Sequence, residues 1–297
     1  YDDTTLKGFS HTHLSGTGCI DLGDILFRPT TLKPDLTTES IYQPAAFSHK
    51  DEDASAGYYS VVLKEEGIKA ELTVTAHAGM HRYTFPSGKE ASIIIDLTHL
   101  LDNEYIYEAE LEQTAANEIT GMRRTRGWTD NQYVYFVAQF SKPFQAIDFI
   151  QNKKMVSAGV KLNGTDLQAC LSFDNSNGEP VIAKVGLSIV SEKNARENLE
   201  TEVIGFDFDA VRSAARSAWE QALSAITVKG GNTDDLKNFY TAMYHSMVVP
   251  NVVSDVNGEY RRHNMEVGQL PKGKVQYSTF SLWDTFRAWN PLMTLID

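Results

Sequence analysis

The fold class shows first in Ile68-Lys69-Ala70-Glu71-Leu72-Thr73-Val74-Thr75-Ala76. Apolar side chains alternate with polar ones along it, the period of a strand with one face buried and one face wet. Runs of the same kind, rich in β-branched and aromatic residues, lie at 58–63, 81–85, 91–97, 105–111, 133–140, 158–162, 167–173 and 181–190. Turn chemistry separates them: Pro86-Ser87-Gly88, Asp102-Asn103, Thr129-Asp130-Asn131, Asn163-Gly164 and Asn175-Ser176-Asn177-Gly178. Many short strands with few helical stretches between them predict an antiparallel β-sandwich.

The period changes after Ile204. Phe208, Val211, Ala215, Trp219, Ala222, Leu223 and Ile226 form a stripe at helical spacing, with Asp207 and Asp209 suited to the positive end of the helix and Gly230-Gly231 closing it. Thr233 offers an N-cap to a second helix carrying Leu236, Phe239, Tyr240, Met243 and Met247 on one face, which Pro250 stops. Residues 251–256, Asn257-Gly258 and 259–262 read as a hairpin with a two-residue turn. From Thr285 the pattern is helical again.

Composition sets outer bounds. The 297 residues are 42% hydrophobic and 22% charged, the balance of a soluble protein large enough for more than one core. No run approaches the ~20 apolar residues that cross a bilayer as a helix. A formal charge of −12 repels phosphate backbones, so nucleic acid is a poor partner, whereas a neutral sugar is indifferent to that field. The two cysteines, Cys19 and Cys170, are too few for a disulfide framework or a four-cysteine zinc site. Whether they pair or stay reduced is left open. The chain opens on Tyr1-Asp2-Asp3 and closes inside an apolar helical run, so both ends read as cuts in a longer protein.

Two segments carry chemistry. In Gly8-Phe9-Ser10-His11-Thr12-His13-Leu14-Ser15-Gly16-Thr17-Gly18-Cys19, His11 and His13 at i, i+2 would share one side of a strand, a spacing that can serve a metal. Gly16 and Gly18 permit close backbone approach to a ligand. The plain alternative is a turn with backbone-bonded histidines. A phosphate cradle is disfavoured because the signature Lys is missing. In Tyr277-Ser278-Thr279-Phe280-Ser281-Leu282-Trp283-Asp284-Thr285-Phe286-Arg287, an indole can cover a pyranose face while a carboxylate and a guanidinium take hydroxyls. The alternative makes Trp283 and Phe286 core residues and Asp284 a helix cap.

Other features lean structural. Asp51-Glu52-Asp53 lacks the spacing and Gly of a calcium loop and reads as a solvated acidic loop. Asn163-Gly164-Thr165 fits a glycosylation sequon but reads first as a turn. Trp128 and Trp219 are most simply core. Glu108 and Glu110 mimic a carboxylate pair, although alternating charge on an outward strand face explains them as well. No general acid and base pair emerges.

Together these segments resemble glycoside hydrolase family 92, bacterial exo-acting α-mannosidases. The resemblance rests on residues 8–19 (GFSHTHLSGTGC) running into Asp21-Leu22-Gly23-Asp24, on His81-Arg82-Tyr83-Thr84-Phe85-Pro86, on 243–261 (MYHSMVVPNVVSDVNGEYR) and on 277–288 (YSTFSLWDTFRA). Asn290 departs from it, standing where the family pattern has His before Pro-Leu. The resemblance implies a mainly β N-terminal sandwich followed by an α-helical linker and the truncated start of an (α/α)6 barrel, with bounds at 1–204, 205–232 and 233–297. It implies a pocket between the domains, with His11, His13, Gly16, Gly18, Cys19, Trp283 and Asp284, and by proximity Arg287, as substrate-binding residues.

It further implies a calcium cofactor with ligands mostly outside this segment, inverting hydrolysis of terminal mannose from glycans, α-1,2 linkages as the target, and a periplasmic or secreted setting. In the family the acid and base lie beyond the equivalent of Asp297, so this chain by itself is expected to be inactive. Its terminal helices should expose Phe286, Leu292 and Leu295. Two competing readings are a non-catalytic carbohydrate-binding module, in which a sandwich with exposed aromatics binds glycans without cutting them, and a glycoside phosphorylase, which the quoted blocks disfavour.

Overall fold

The computed structural model describes residues 2–14, 21–32, 44–101, 105–156, 161–278 and 281–296. Two sheets face each other. One has nine strands in the order Leu162–Gly164, Tyr105–Ala115, Glu118–Arg126, Gln132–Phe140, Val181–Ser188, Ala78–Thr84, Ile68–Val74, Tyr58–Leu63 and Glu52–Ser55. The other has five, in the order Lys154–Val156, Ala146–Gln151, Leu167–Phe173, Ala91–Asp96 and Leu26–Thr30. Every pairing in both is antiparallel. The predicted sandwich is present.

Alternation supplies its core. Val61, Leu63, Ile68, Ala70 and Tyr83 from the larger sheet meet Ile93, Ile95, Phe149, Leu167, Ala169 and Leu171 from the smaller in one buried cluster. Each large apolar side chain so removed from water contributes about 1.5–3 kcal/mol before entropy is counted.

The sequence reading missed several strands for identifiable reasons. Leu26–Thr30 contains Pro29, which a central strand would not tolerate; it lies at the sheet edge, where the missing N–H costs little. Glu118–Arg126 carries three arginines, yet Arg123 is fully buried as half of an ion pair. Asn163-Gly164 end a strand instead of making the turn, and the acidic 51–53 segment leads into the exposed edge strand Glu52–Ser55. Residues 251–256 form no ladder with 259–262, although the Asp255 N–H reaches the Glu259 carbonyl at 2.8 Å. Val252 bridges Tyr277, and Glu259–Arg261 pairs with Val267–Gln269.

Among the described residues five helices follow the sandwich: α1 (Glu192–Glu202), α2 (Phe208–Leu223), α3 (Thr233–Ser246), α4 (Leu282–Thr285) and α5 (Trp289–Ile296). Asp207 caps α2 through the Ala210 N–H, and Asn232, not Thr233, caps α3 through two N–H groups. The α2 helix ends at Leu223, well before Gly230. Helices α1 and α2 cover the outer face of the nine-stranded sheet, where Ala195, Leu199, Phe208 and Val211 pack on Tyr58, Met80 and Val137. Gly186 makes this close approach feasible, since a Cβ there would lie 2.4 Å from the Ala195 carbonyl oxygen. Trp219 is half-buried against Tyr244, linking α2 to α3.

Candidate functional site

Residues 8–14 and 21–27 run antiparallel as the two legs of an irregular hairpin. Phe9 bridges Phe27 and His13 bridges Leu22, while the His11 N–H donates to the Asp24 carbonyl at 3.0 Å. The register slips by one residue between the two bridges, and Leu22 and Ile25 take positive φ of 72° and 58°. That slip overturns the expectation that His11 and His13 share a side. His11 turns toward the sandwich, its ring 4.8 Å from Phe27 and from His81, whereas His13 is exposed and bonded back to Ser10 at 3.1 Å. Gly16, Gly18 and Cys19 lie outside the described residues, while Cys170 is buried with Ile94 and Ile150.

Buried polar groups hold the hairpin. Asp24 pairs with Arg123 at 3.0 Å and accepts from the Thr12 hydroxyl at 2.7 Å and the Gln132 amide at 2.8 Å. Asp21, also buried, accepts the Trp128 N–H at 3.3 Å, and a Cβ on Gly127 would sit 2.1 Å from its Oδ1, so only Gly fits that turn. Trp128, read from sequence as core, is instead 73% exposed beside the hairpin's second leg. Glu108 is exposed, and Glu110 pairs with Lys161 at 2.7 Å on the same outward strand face, which disposes of a paired-carboxylate site there.

A second network brings up the Trp283 segment. Asp255, buried, receives the Ser188 hydroxyl and the Asn194 and Asn198 amides, each at 2.7 Å. Arg261 donates to the Ile189 and Val190 carbonyls and lies over Tyr133. His77 bonds the Glu202 carboxylate at 2.5 Å and the Ser254 carbonyl at 2.7 Å. Both partners accept, so the ring is fully satisfied only as an imidazolium. Burial works against that charge, but the Glu202 bond and charge outweigh it and raise the His77 pKa above its ordinary value. The same pair holds Glu202 below the usual carboxylate range despite its burial.

From this anchor the chain runs through the Val252–Tyr277 bridge and the 2.7 Å bond between the Ser278 N–H and the Asn251 carbonyl to α4. There Trp283 is 86% exposed, with Asp284 and Arg287 also open to solvent. Ser281, not Asp284, occupies the cap position of this short helix. Phe286 and Leu295 are exposed too, while Leu292 is half-buried. Neither Trp283 nor Phe286 is buried within this chain. Trp283, Asp284 and Arg287 stay together on one turn. Among the described residues no hydrogen bond or ring contact joins them to His13. Nor does any set of three or more His, Cys, Asp or Glu side chains among those residues converge to hold a cation.

The family model of the glycosyl hydrolase family 92 N-terminal domain matches residues 1–188, and that of the family's catalytic domain matches 194–297. A family GH92 α-mannosidase from Bacteroides thetaiotaomicron, BT3965, shares 36% identity with a TM-score of 0.92, covering 99% of this chain and 41% of its own. The same enzyme in complex with mannoimidazole superposes equally well, with a TM-score of 0.92. An uncharacterized secreted glycosidase of Arthroderma benhamiae is 30% identical over 325 residues, 98% of this chain and 40% of that protein. The chain thus spans about two fifths of the length of these relatives. With both family models matched in order along its length, the chain belongs to glycosyl hydrolase family 92.

Proposed function

We propose that the intact protein is an exo-acting, inverting α-mannosidase that releases terminal mannose from glycans, with α-1,2 linkages its target, in a periplasmic or secreted setting. The observation that carries this reading is the 36% identity to an α-mannosidase over 99% of the chain. The exposed Trp283, Asp284 and Arg287 support it, offering a ring-stacking face, an acceptor and a donor on one anchored turn. In this reading His13, Gly16, Gly18 and Cys19 approach the sugar from the sandwich hairpin.

Inversion needs two carboxyl groups roughly 6.5–9.5 Å apart, one protonated to donate to the leaving oxygen and one to activate water on the opposite ring face. No described carboxylate of this chain is assigned either role. Calcium is the proposed cofactor of the intact protein. The described residues do not by themselves supply a cation site, so none of their roles is routed through a metal. The 297-residue chain by itself is expected to show no hydrolysis.

The test is an assay of the full-length protein on mannobioses of each linkage, with and without a chelator. Loss of turnover on chelation and β-mannose as the first product by NMR are expected. An α-configured first product overturns inversion, and activity that survives chelation overturns the calcium assignment. Trp283→Ala should raise KM on the order of tenfold, since an aromatic–sugar contact of about 1–2 kcal/mol is lost.

A further inference from the structure

Tyr83, His81 and His11 form a chain of hydrogen bonds that runs from the sandwich core into the hairpin. The Tyr83 hydroxyl lies 2.7 Å from His81 Nδ1, His81 Nε2 lies 2.9 Å from His11 Nε2, and His11 Nδ1 lies 2.7 Å from the Ile25 carbonyl. The proton order follows from the last contact. A carbonyl only accepts, so His11 Nδ1 carries the hydrogen and, in a neutral ring, its Nε2 is a lone pair. His81 Nε2 must then donate, which leaves His81 Nδ1 to accept from the Tyr83 hydroxyl. One arrangement satisfies every atom. The reverse order points a lone pair at the Ile25 carbonyl.

Both rings are kept neutral. His81 and Tyr83 are buried and Phe27 lies 5.4 Å from the His81 ring. Burial, the dominant cause, pushes His11 down to about 4 and His81 well below its ordinary value. The neighbouring strand leaves room for the imidazole at Gly79, where a Cβ would stand 3.3 Å from His11 Cδ2.

We propose that Tyr83 and His81 are positioning residues that set the tautomer of His11, lock its Nδ1–H onto Ile25 and so hold the two legs of the hairpin in the slipped register that leaves His13 exposed. This rests on the reading of that hairpin as part of the mannoside pocket. In that reading His11 acts through the backbone it ties down and makes no contact with sugar. Neither ring nitrogen is left over for one.

The test uses the full-length protein. Long-range 15N–1H spectra of histidine-labelled enzyme should show His11 protonated at Nδ1 and His81 at Nε2, with neither titrating between about pH 5 and 8. Tyr83→Phe should shift the His11 ring resonances and lower kcat/KM on a mannobioside on the order of tenfold, as losing the partner that orients a site group does. Tyr58→Phe removes another buried phenol bond, 2.9 Å to Glu71 in the same sheet, and should leave the kinetics and the His11 signals unchanged.

The relay is overturned if His11 is protonated at Nε2, if either ring titrates in that range, or if Tyr83→Phe affects kinetics no more than Tyr58→Phe. Should Tyr83→Phe fail to fold, the wild-type tautomers still decide. A wild type that cleaves no mannoside would sink the substrate reading, while the spectra alone would uphold or overturn the tautomer order.

Discussion

Between the two sheets, Phe27, Phe136, Phe140 and Phe149 are fully buried in one continuous apolar cluster. Past α2 the picture inverts: α3 buries only Met243, and α4 and α5 bury no residue. What ties the region beyond α3 to the sandwich is polar: Asp255 with Ser188, Asn194 and Asn198, and His77 with Glu202 and Ser254. The sandwich is held by non-directional burial that tolerates approximate shape. The seam is held by hydrogen bonds, which fix geometry because each is lost over a fraction of an ångström. If Trp283 meets a sugar as proposed, hydrogen bonds at the seam are the kind of contact that would fix its place.

Four substitutions separate the two kinds of contact. Phe136→Ala should have the largest effect, about 3–5 kcal/mol by urea unfolding, through lost transfer energy and the cavity left behind. A loss under about 1 kcal/mol would mean that the sheets are not held by burial. Asp255→Ala removes the common acceptor of three buried donors and should cost about 2–3 kcal/mol. Hydrogen exchange should then rise in α1 and 251–261 while the sheets stay protected; uniform exposure would erase the distinction between regions.

His77→Gln should cost about 1–2 kcal/mol and in a pH-dependent way. The folded-state pKa of His77 is raised, so its contribution is fully present below the ordinary value of 6.5 and fades as pH rises through the raised value. Glu202 is depressed, so its share is present above 4.5 and is lost as pH falls through its lowered value. The stability difference between wild type and variant should therefore peak between 4.5 and 6.5 and shrink in alkali. A flat difference would mean that no imidazolium forms. The smallest effect belongs to Arg216→Ala, which removes an exposed α2 ion pair with Glu220 and should change stability by less than about 0.5 kcal/mol.

The strands that were legible in sequence are those whose two faces meet different solvents, such as Ile68–Val74. Helix α1 was not legible, for a specific reason. Its buried positions are Asn194, Ala195, Asn198 and Leu199, so half of its inner face is amide and the apolar stripe is broken. Those asparagines face inward because Asp255, some sixty residues on, is there to accept from them. Only the Ser191 cap could have signalled the helix. In the candidate site, Trp283, Asp284 and Arg287 were legible because one short turn keeps them adjacent whatever the rest of the chain does. The exposure of Trp128 was not, since a lone Trp carries no period and its turn is pulled outward by Asp21 from a distant segment.

The sequence alone determined the sandwich, the family and the residue types that suit a sugar, because strand period, turn chemistry and contiguous motifs are local properties. Only the tertiary structure decided that His11 and His13 part company, since that depends on a one-residue slip and on His81 and Tyr83 waiting across the sheet. It likewise decided that Val252 bridges Tyr277, in the segment leading to α4, while only the Asp255 N–H reaches back to Glu259. The physical reason is common to both. A buried polar atom takes whichever partner the fold brings within about 3 Å, and no local pattern encodes who that partner will be.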